Sequence, residues 1–212
     1  MNKANLIRVS YLLKRAGLIQ EFPLTPQMRH ILMRGSAVHR YSIGLDTAFD
    51  HGGEEVAKKH IETFPRNLQV YGRAILDFRK KFDVHYVRVE QRIDDPALRL
   101  TGCPDRVGTW LHPAEGVGHN AVFDYKTGNE YDWHRLQLAL YSILIERDAS
   151  EKNYNVYQDN PFFVTKRVSV YLGKDGTSRT VVHDNKKDIA EAWSLIQRYL
   201  INESEVTINA SQ

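Results

Sequence analysis

Two charged side chains stand two residues apart in the apolar run of residues 121–128, Ala-Val-Phe-Asp-Tyr-Lys-Thr-Gly. Alternate residues of a strand share a face, so Asp124 and Lys126 point one way while Ala121, Phe123 and Tyr125 point the other. A buried strand seldom places two charges on one face. Either they pair with each other, or they serve a cation and an anionic substrate. Asp105 stands near the start of a neighbouring strand, where its carboxylate can join that of Asp124 at the sheet edge. Hard oxygens of this kind suit Mg²⁺ or Mn²⁺, and an imidazole such as that of His39 can complete the set. A lysine beside the ion can orient or deprotonate a water while offsetting phosphate charge. Such an ion lowers the pKa of bound water and neutralises the charge that develops in an in-line displacement at phosphorus. The chemistry these residues allow is hydrolysis of a phosphodiester.

The elements that must position them follow from periodicity. Leu6, Val9, Leu12 and Leu13 recur at helical spacing, so residues 5–16 read as a short amphipathic helix that Gly17 ends. Thr25 and Pro26 supply a capping side chain and a first-turn proline for a second helix, which carries His39. Gly35 lies one turn before His39 and removes side-chain bulk where the imidazole would lie. Residues 51–54 read as a turn, and Leu68, Tyr71, Ile75, Phe78 and Phe82 mark a core helix. Its Arg73, Arg79, Lys80 and Lys81 read as a solvated face. From Val84 the pattern alternates, giving a strand over 84–93 on which Glu90 shares a face with Tyr86 and Arg88. Short strands near 98–102 and through Val107, Thr109 and Leu111 lead to the 121–128 strand as an antiparallel meander. A helix over 133–147 stacks Gln137 and Tyr141 on one face. Strands over 162–172 and 179–183 join at a hairpin around residues 174–176, and a last helix over 187–201 precedes a frayed tail.

Composition excludes some classes and leaves others open. At 212 residues, with 42% hydrophobic and 26% charged positions, the chain is long enough for a substantial core. A net charge of +3 permits a nucleic-acid partner without demanding one. The single Cys103 rules out an internal disulfide and a four-cysteine iron–sulfur cluster. No apolar run is long enough to span a bilayer, and the first residues offer no signal-peptide core, so the expected setting is cytoplasmic or otherwise intracellular.

These residues together resemble the PD-(D/E)XK nuclease superfamily, in its RecB-like exonuclease branch. The resemblance rests on Gly35 and His39 in a helix, on Gly102-Cys-Pro-Asp105, on Asp124 to Gly128, and on Gln137 and Tyr141, all in order between about residues 30 and 145. It implies an α/β, restriction-endonuclease-like fold: a mixed central sheet of four to six strands flanked by helices, with a helical N-terminal arch. One domain over 1–212 would divide into a helical part (1–82), a catalytic core (83–147) and C-terminal strands and helix (148–212). It implies a metal held by His39, Asp105, Asp124 and the main-chain carbonyl of Tyr125, with Lys126 catalytic. Glu90 falls where some members carry a functional glutamate, and facing Arg88 as an ordinary strand residue is the competing reading. Gln137 and Tyr141 would line the DNA path or support the site from behind. Arg29, Arg34 and Arg40 would border a strand of DNA, with Tyr41, Tyr131 or Trp133 as stacking surfaces.

The activity so implied is that of a Mg²⁺- or Mn²⁺-dependent deoxyribonuclease without an iron–sulfur cluster. It would be an exonuclease preferring single strands or ends, acting in DNA recombination, repair or replication. No phosphate-cradling Gly-x-x-x-x-Gly-Lys motif is present, so a helicase, single-strand-binding or recombination protein would be a separate partner. The alternative is a catalytically silent nucleic-acid-binding or assembly protein of the same fold.

Overall fold

A computed structural model describes residues 6–20, 23, 25–152 and 163–209, with residues 149–152 and 203–209 described by backbone alone. Its centre is a five-stranded mixed sheet formed by β2 (His85–Val89), β5 (Arg106–Leu111), β6 (Gly118–Lys126), β7 (Lys166–Leu172) and β8 (Ser178–Val182), in that spatial order. Only β6 and β7 run parallel, Asp124 opposite Ser169 and Lys126 opposite Tyr171. The other neighbours are antiparallel. A smaller sheet orders β1 (Ile7–Arg8), β4 (Leu100–Gly102) and β3 (Ile93–Asp95).

Alternation along β6 builds the two cores. Ala121, Phe123 and Tyr125 join Val168 and Val170 against α2 (Pro26–Glu62) and α3 (Gln69–Phe82) on one face. Val122 packs on the opposite face with α4 (Trp133–Lys152), α1 (Val9–Arg15) and α5 (Lys186–Asn209). Asp124 and Lys126 have the parity of Val122, so they belong to the α4 side. Helix α2 begins as its sequence foretells, with Thr25 Oγ1 accepting from the Met28 N–H at 3.2 Å and proline in the first turn. Its buried residues Val38, Ser42, Leu45 and Asp46 lie at i, i+4, i+7 and i+8, one face of a helix.

Several expectations need correction. The first helix begins at Val9, because Ile7 and Arg8 instead pair in parallel with Leu100 and Thr101. Residues 51–54 do not end a helix: α2 continues past them with a kink at Gly53, whose φ of 68° only glycine adopts cheaply. The 84–93 strand breaks at Glu90, where φ is 47°, so its two ends enter different sheets. Arg79 is not solvated but fully buried, because its guanidinium ion-pairs with Asp46 and Asp50 of α2. The last helix extends past 201 to Asn209. The 162–172 strand starts at Lys166, and Phe162 lies outside the described residues. Among the described residues no helix is long and apolar enough to cross a membrane.

Candidate active site

Three elements bring His39, Glu90 and Asp105 together, their ligand atoms all within 4.8 Å of one another. His39 comes from the middle of α2, Glu90 from the left-handed turn after β2, and Asp105 from the residue just before β5. The His39 Nδ1 lies 3.2 Å from Glu90 Oε1 and 3.4 Å from Asp105 Oδ1. The turn at Glu90 is fixed by its own N–H, which donates to the Asp105 carbonyl at 2.9 Å. A left-handed non-glycine backbone costs about 1–2 kcal/mol, and here it swings a carboxylate toward the imidazole. Glu90 does not face Arg88 as an ordinary strand residue would, because Arg88 pairs with Asp148 at 2.7 Å.

β6 supplies the rest. The Tyr125 N–H donates to Asp105 Oδ2 at 2.6 Å, which ties the two strand acids to one end of the sheet. The Tyr125 ring packs on the opposite face, its hydroxyl 2.5 Å from that of Tyr86. Asp124 contacts the Lys126 ammonium through Oδ2. Lys126 also donates to Gln137 Oε1 at 2.9 Å, and Gln137 Nε2 donates to the Tyr141 hydroxyl at 3.2 Å. That second bond fixes the amide so that its oxygen meets the ammonium. Gln137 and Tyr141 are buried. They form a buried chain of hydrogen bonds that runs from Lys126 into α4.

The glycines before two of these groups have distinct reasons. A Cβ on Gly102 would lie 2.9 Å from the Tyr141 ring and 2.8 Å from Leu144, so this position must be bare for α4 to approach β4. A Cβ on Gly35 would meet Thr127 Oγ1 at 3.7 Å and no atom of His39. Gly35 thus faces the loop after Lys126, contrary to the expectation that it clears space for the imidazole. Arg34 beside it donates to the Thr127 carbonyl at 3.0 Å. Arg40 and Arg29 are exposed, and Tyr41 packs against the core with its ring tilted 37° to that of Phe64, centroids 4.9 Å apart.

Arg106 is the functional residue that sequence reasoning missed. Fully buried, it donates through Nη1 to the Asp105 carbonyl at 2.6 Å and to Glu90 Oε1 at 3.3 Å. Its Nη2 donates to Ser42 Oγ and its Nε to Asp46 Oδ2, both at 2.6 Å. Ser42 in turn donates to the His39 carbonyl at 2.7 Å. One guanidinium thus touches or reaches the backbone of all three elements that carry the cluster. The available signal was Ser42 and Asp46, polar residues three and seven positions after His39 on the buried face of α2.

The electrostatics are those of a cation site. Burial pushes the Asp105 carboxyl up from its ordinary range, and the nearby Asp124 and Glu90 charges add to the rise against the opposing His39. Burial alone would depress His39, yet Asp105, Glu90 and Asp124 together raise it to about 9. An imidazolium proton and the Lys126 ammonium therefore both offset these acids. Asp124 Oδ2 is buried, with the Lys126 ammonium as its ionic partner. Carboxylate oxygens plus one imidazole, crowded within 4.8 Å of one another, fit a divalent ion with hard-ligand preference.

The family model that matches residues 9–207 is that of the PD-(D/E)XK nuclease superfamily. The chain belongs to this superfamily. As a PD-(D/E)XK nuclease it is a hydrolytic enzyme of a group that uses divalent metal ions, and the residues described above fit one. No curated protein matches the chain. Among solved structures, a candidate exonuclease from Eubacterium rectale is similar at 13% identity and a TM-score of 0.45, covering 94% of this chain and 80% of that one.

Proposed function

We propose that this PD-(D/E)XK chain is a Mg²⁺- or Mn²⁺-dependent deoxyribonuclease, an exonuclease preferring single strands or ends and acting in DNA recombination, repair or replication. The observation that carries the reading is the convergence of His39, Glu90 and Asp105 beside the paired Asp124 and Lys126. His39, Asp105, Asp124 and the Tyr125 carbonyl would hold the ion, with Glu90 at its flank. When bound, such an ion supplies a water of lowered pKa and neutralises charge on the scissile phosphate. Asp124 and Gln137 hold the Lys126 ammonium from two sides, leaving a remaining N–H to donate to the attacking water or to a phosphate oxygen. Arg106 fixes the separation of Glu90 from Asp105 without itself meeting solvent.

The test is degradation of end-labelled linear and circular DNA, single- and double-stranded, with Mg²⁺ or Mn²⁺, beside Lys126→Ala and Asp124→Ala. Linear DNA should be shortened from its ends while circles persist, and each substitution should cost at least about 100-fold in rate. Equal degradation by parent and Lys126→Ala would remove the assigned role. Cleavage of circles would replace the exonuclease by an endonuclease.

A further inference from the structure

A groove of about 1370 Å³ opens beside Thr127 and Gly128, directly after Lys126. The first turns of α2 form one side of it, with His30, Ile31, Leu32 and Arg34, and the loop into α4 forms another with Tyr131 and Trp133. The Tyr131 and Trp133 rings are stacked, 13° from parallel with centroids 6.2 Å apart. Tyr131 keeps 48% of its surface exposed. The Lys126 ammonium lies 5.2 Å from the centre of the Trp133 ring. A flat aromatic surface therefore stands one side chain away from the cation that would meet the scissile phosphate.

On the α2 side of the groove, Ile31 and Leu32 are 38% and 54% exposed. Apolar walls beside a phosphate-handling site suit a ligand that carries a phosphate and a flat apolar face in one unit. An unpaired nucleotide is such a unit. A base inside a duplex has both faces covered by its neighbours, whereas an unpaired base can lay one on an aromatic ring. Charge agrees: His30, Arg34 and Lys174 line the groove, and the one acid among its described lining residues, Asp132, is already held by Arg135 at 3.0 Å. Arg34 also pins α2 to the Thr127 carbonyl, so the two walls are fixed relative to each other.

We propose that this groove is a subsite for an unpaired nucleotide next to the cleaved phosphate, its base stacked on Tyr131 and its phosphate directed to Lys126. The inference rests on the nuclease reading of the Asp124 and Lys126 site and adds to it the residue that selects an unpaired strand.

The experiment measures binding without turnover, by anisotropy of labelled oligothymidylate, oligouridylate, an abasic strand of equal length and a blunt hairpin, with Ca²⁺ in place of Mg²⁺. The parent should bind the two base-bearing strands more tightly than the abasic strand or the hairpin. Tyr131→Ala should weaken the base-bearing strands by roughly tenfold, the loss of one base–aromatic stack, and leave the other two unchanged. Tyr131→Phe should bind as the parent does. Tyr131 is exposed, so its truncation tests contact with the ligand and not folding. Equal binding of base-bearing and abasic strands, or an undiminished Tyr131→Ala, overturns the proposal. Absence of cleavage in Mg²⁺ or Mn²⁺ by a parent that still shows this base dependence overturns the nuclease reading and leaves the subsite intact.

Discussion

Asp105 is the residue where the conflict inside the site is concentrated. It is buried, it faces two other carboxylates, and it accepts a backbone hydrogen bond that holds it in place. Removing its charge should therefore cost nothing without metal and everything with it. In chelator, Asp105→Asn is expected to unfold at the parent temperature or above. With Mn²⁺ at a hundred times the dissociation constant the parent should gain about 2.7 kcal/mol, and Asp105→Asn should gain none. Thermal unfolding with and without Mn²⁺ measures both. At Lys126 the dependence runs through Gln137, whose amide oxygen is one of the two groups holding the ammonium. Gln137→Leu is expected to lower kcat about tenfold, equivalent to about 1.4 kcal/mol, with KM little changed. Steady-state kinetics on a single-stranded substrate separates the two constants.

At the scale of elements, the cluster depends on how α2, the β2 end and β5 are held in register, and α4 against β4. Arg106 carries the first of these joints. Truncating one partner of a buried ion pair typically costs about 3–5 kcal/mol, so Arg106→Met is expected to unfold at far lower denaturant than the parent. Ser42→Ala removes only the link from Arg106 to the His39 backbone and should cost about 1 kcal/mol. It should also weaken Mn²⁺ binding, a loss that calorimetric titration would report. Gly102 carries the second joint. Gly102→Ala places a methyl against the Tyr141 ring and Leu144. A cost of about 1–3 kcal/mol is expected from overpacking, with a fall in activity as Tyr141 shifts and releases Gln137. Chemical denaturation and rate assays on the same preparation would show the two effects together.

For the whole molecule, part of the pH response comes from two histidines held without charge, His134 buried and His183 half-buried. His134, at the start of α4, accepts or donates at the Tyr171 hydroxyl, 2.8 Å away on β7. Burial, with Lys126 nearby, lowers it to about 4. Burial also lowers His183, which meets Ser169 at 3.0 Å. A histidine depressed in the folded chain is protonated first in the unfolded chain. The unfolded state therefore gains protons as pH falls below 6.5, and stability is lost between there and about 4. For His134 this amounts to roughly 3 kcal/mol at most. Asp105, raised by burial, takes up its proton in the folded chain over the same range and opposes this loss, so the His134 share is read as a difference: His134→Asn, which keeps a polar partner for Tyr171 but does not titrate, should gain in unfolding temperature relative to the parent from pH 6.5 to pH 5.

Periodicity and spacing made much of this chain legible. The alternation along residues 121–126 placed Asp124 and Lys126 on one face and Tyr125 on the other, because strand parity is a local property of the backbone. Thr25 and Pro26 marked the start of α2 for an equally local reason, a cap within one turn. The spacing of Gln137 and Tyr141 put them on one helical face, and the four motifs in order identified the superfamily. Strands of two or three residues such as β1 and β3 have no period to read. The left-handed turn at Glu90 depends on a hydrogen bond that its N–H donates to a residue fifteen positions away. The burial of Arg79 on α3 and Arg106 on β5 depends on Asp46, supplied by α2. Sequence determined which side chains share an element and a face, since those relations are fixed by backbone geometry within a few residues. Only the tertiary structure decided which elements meet, and so that Glu90 turns to His39 and that a buried arginine holds the acids apart, because those contacts join residues distant in the chain.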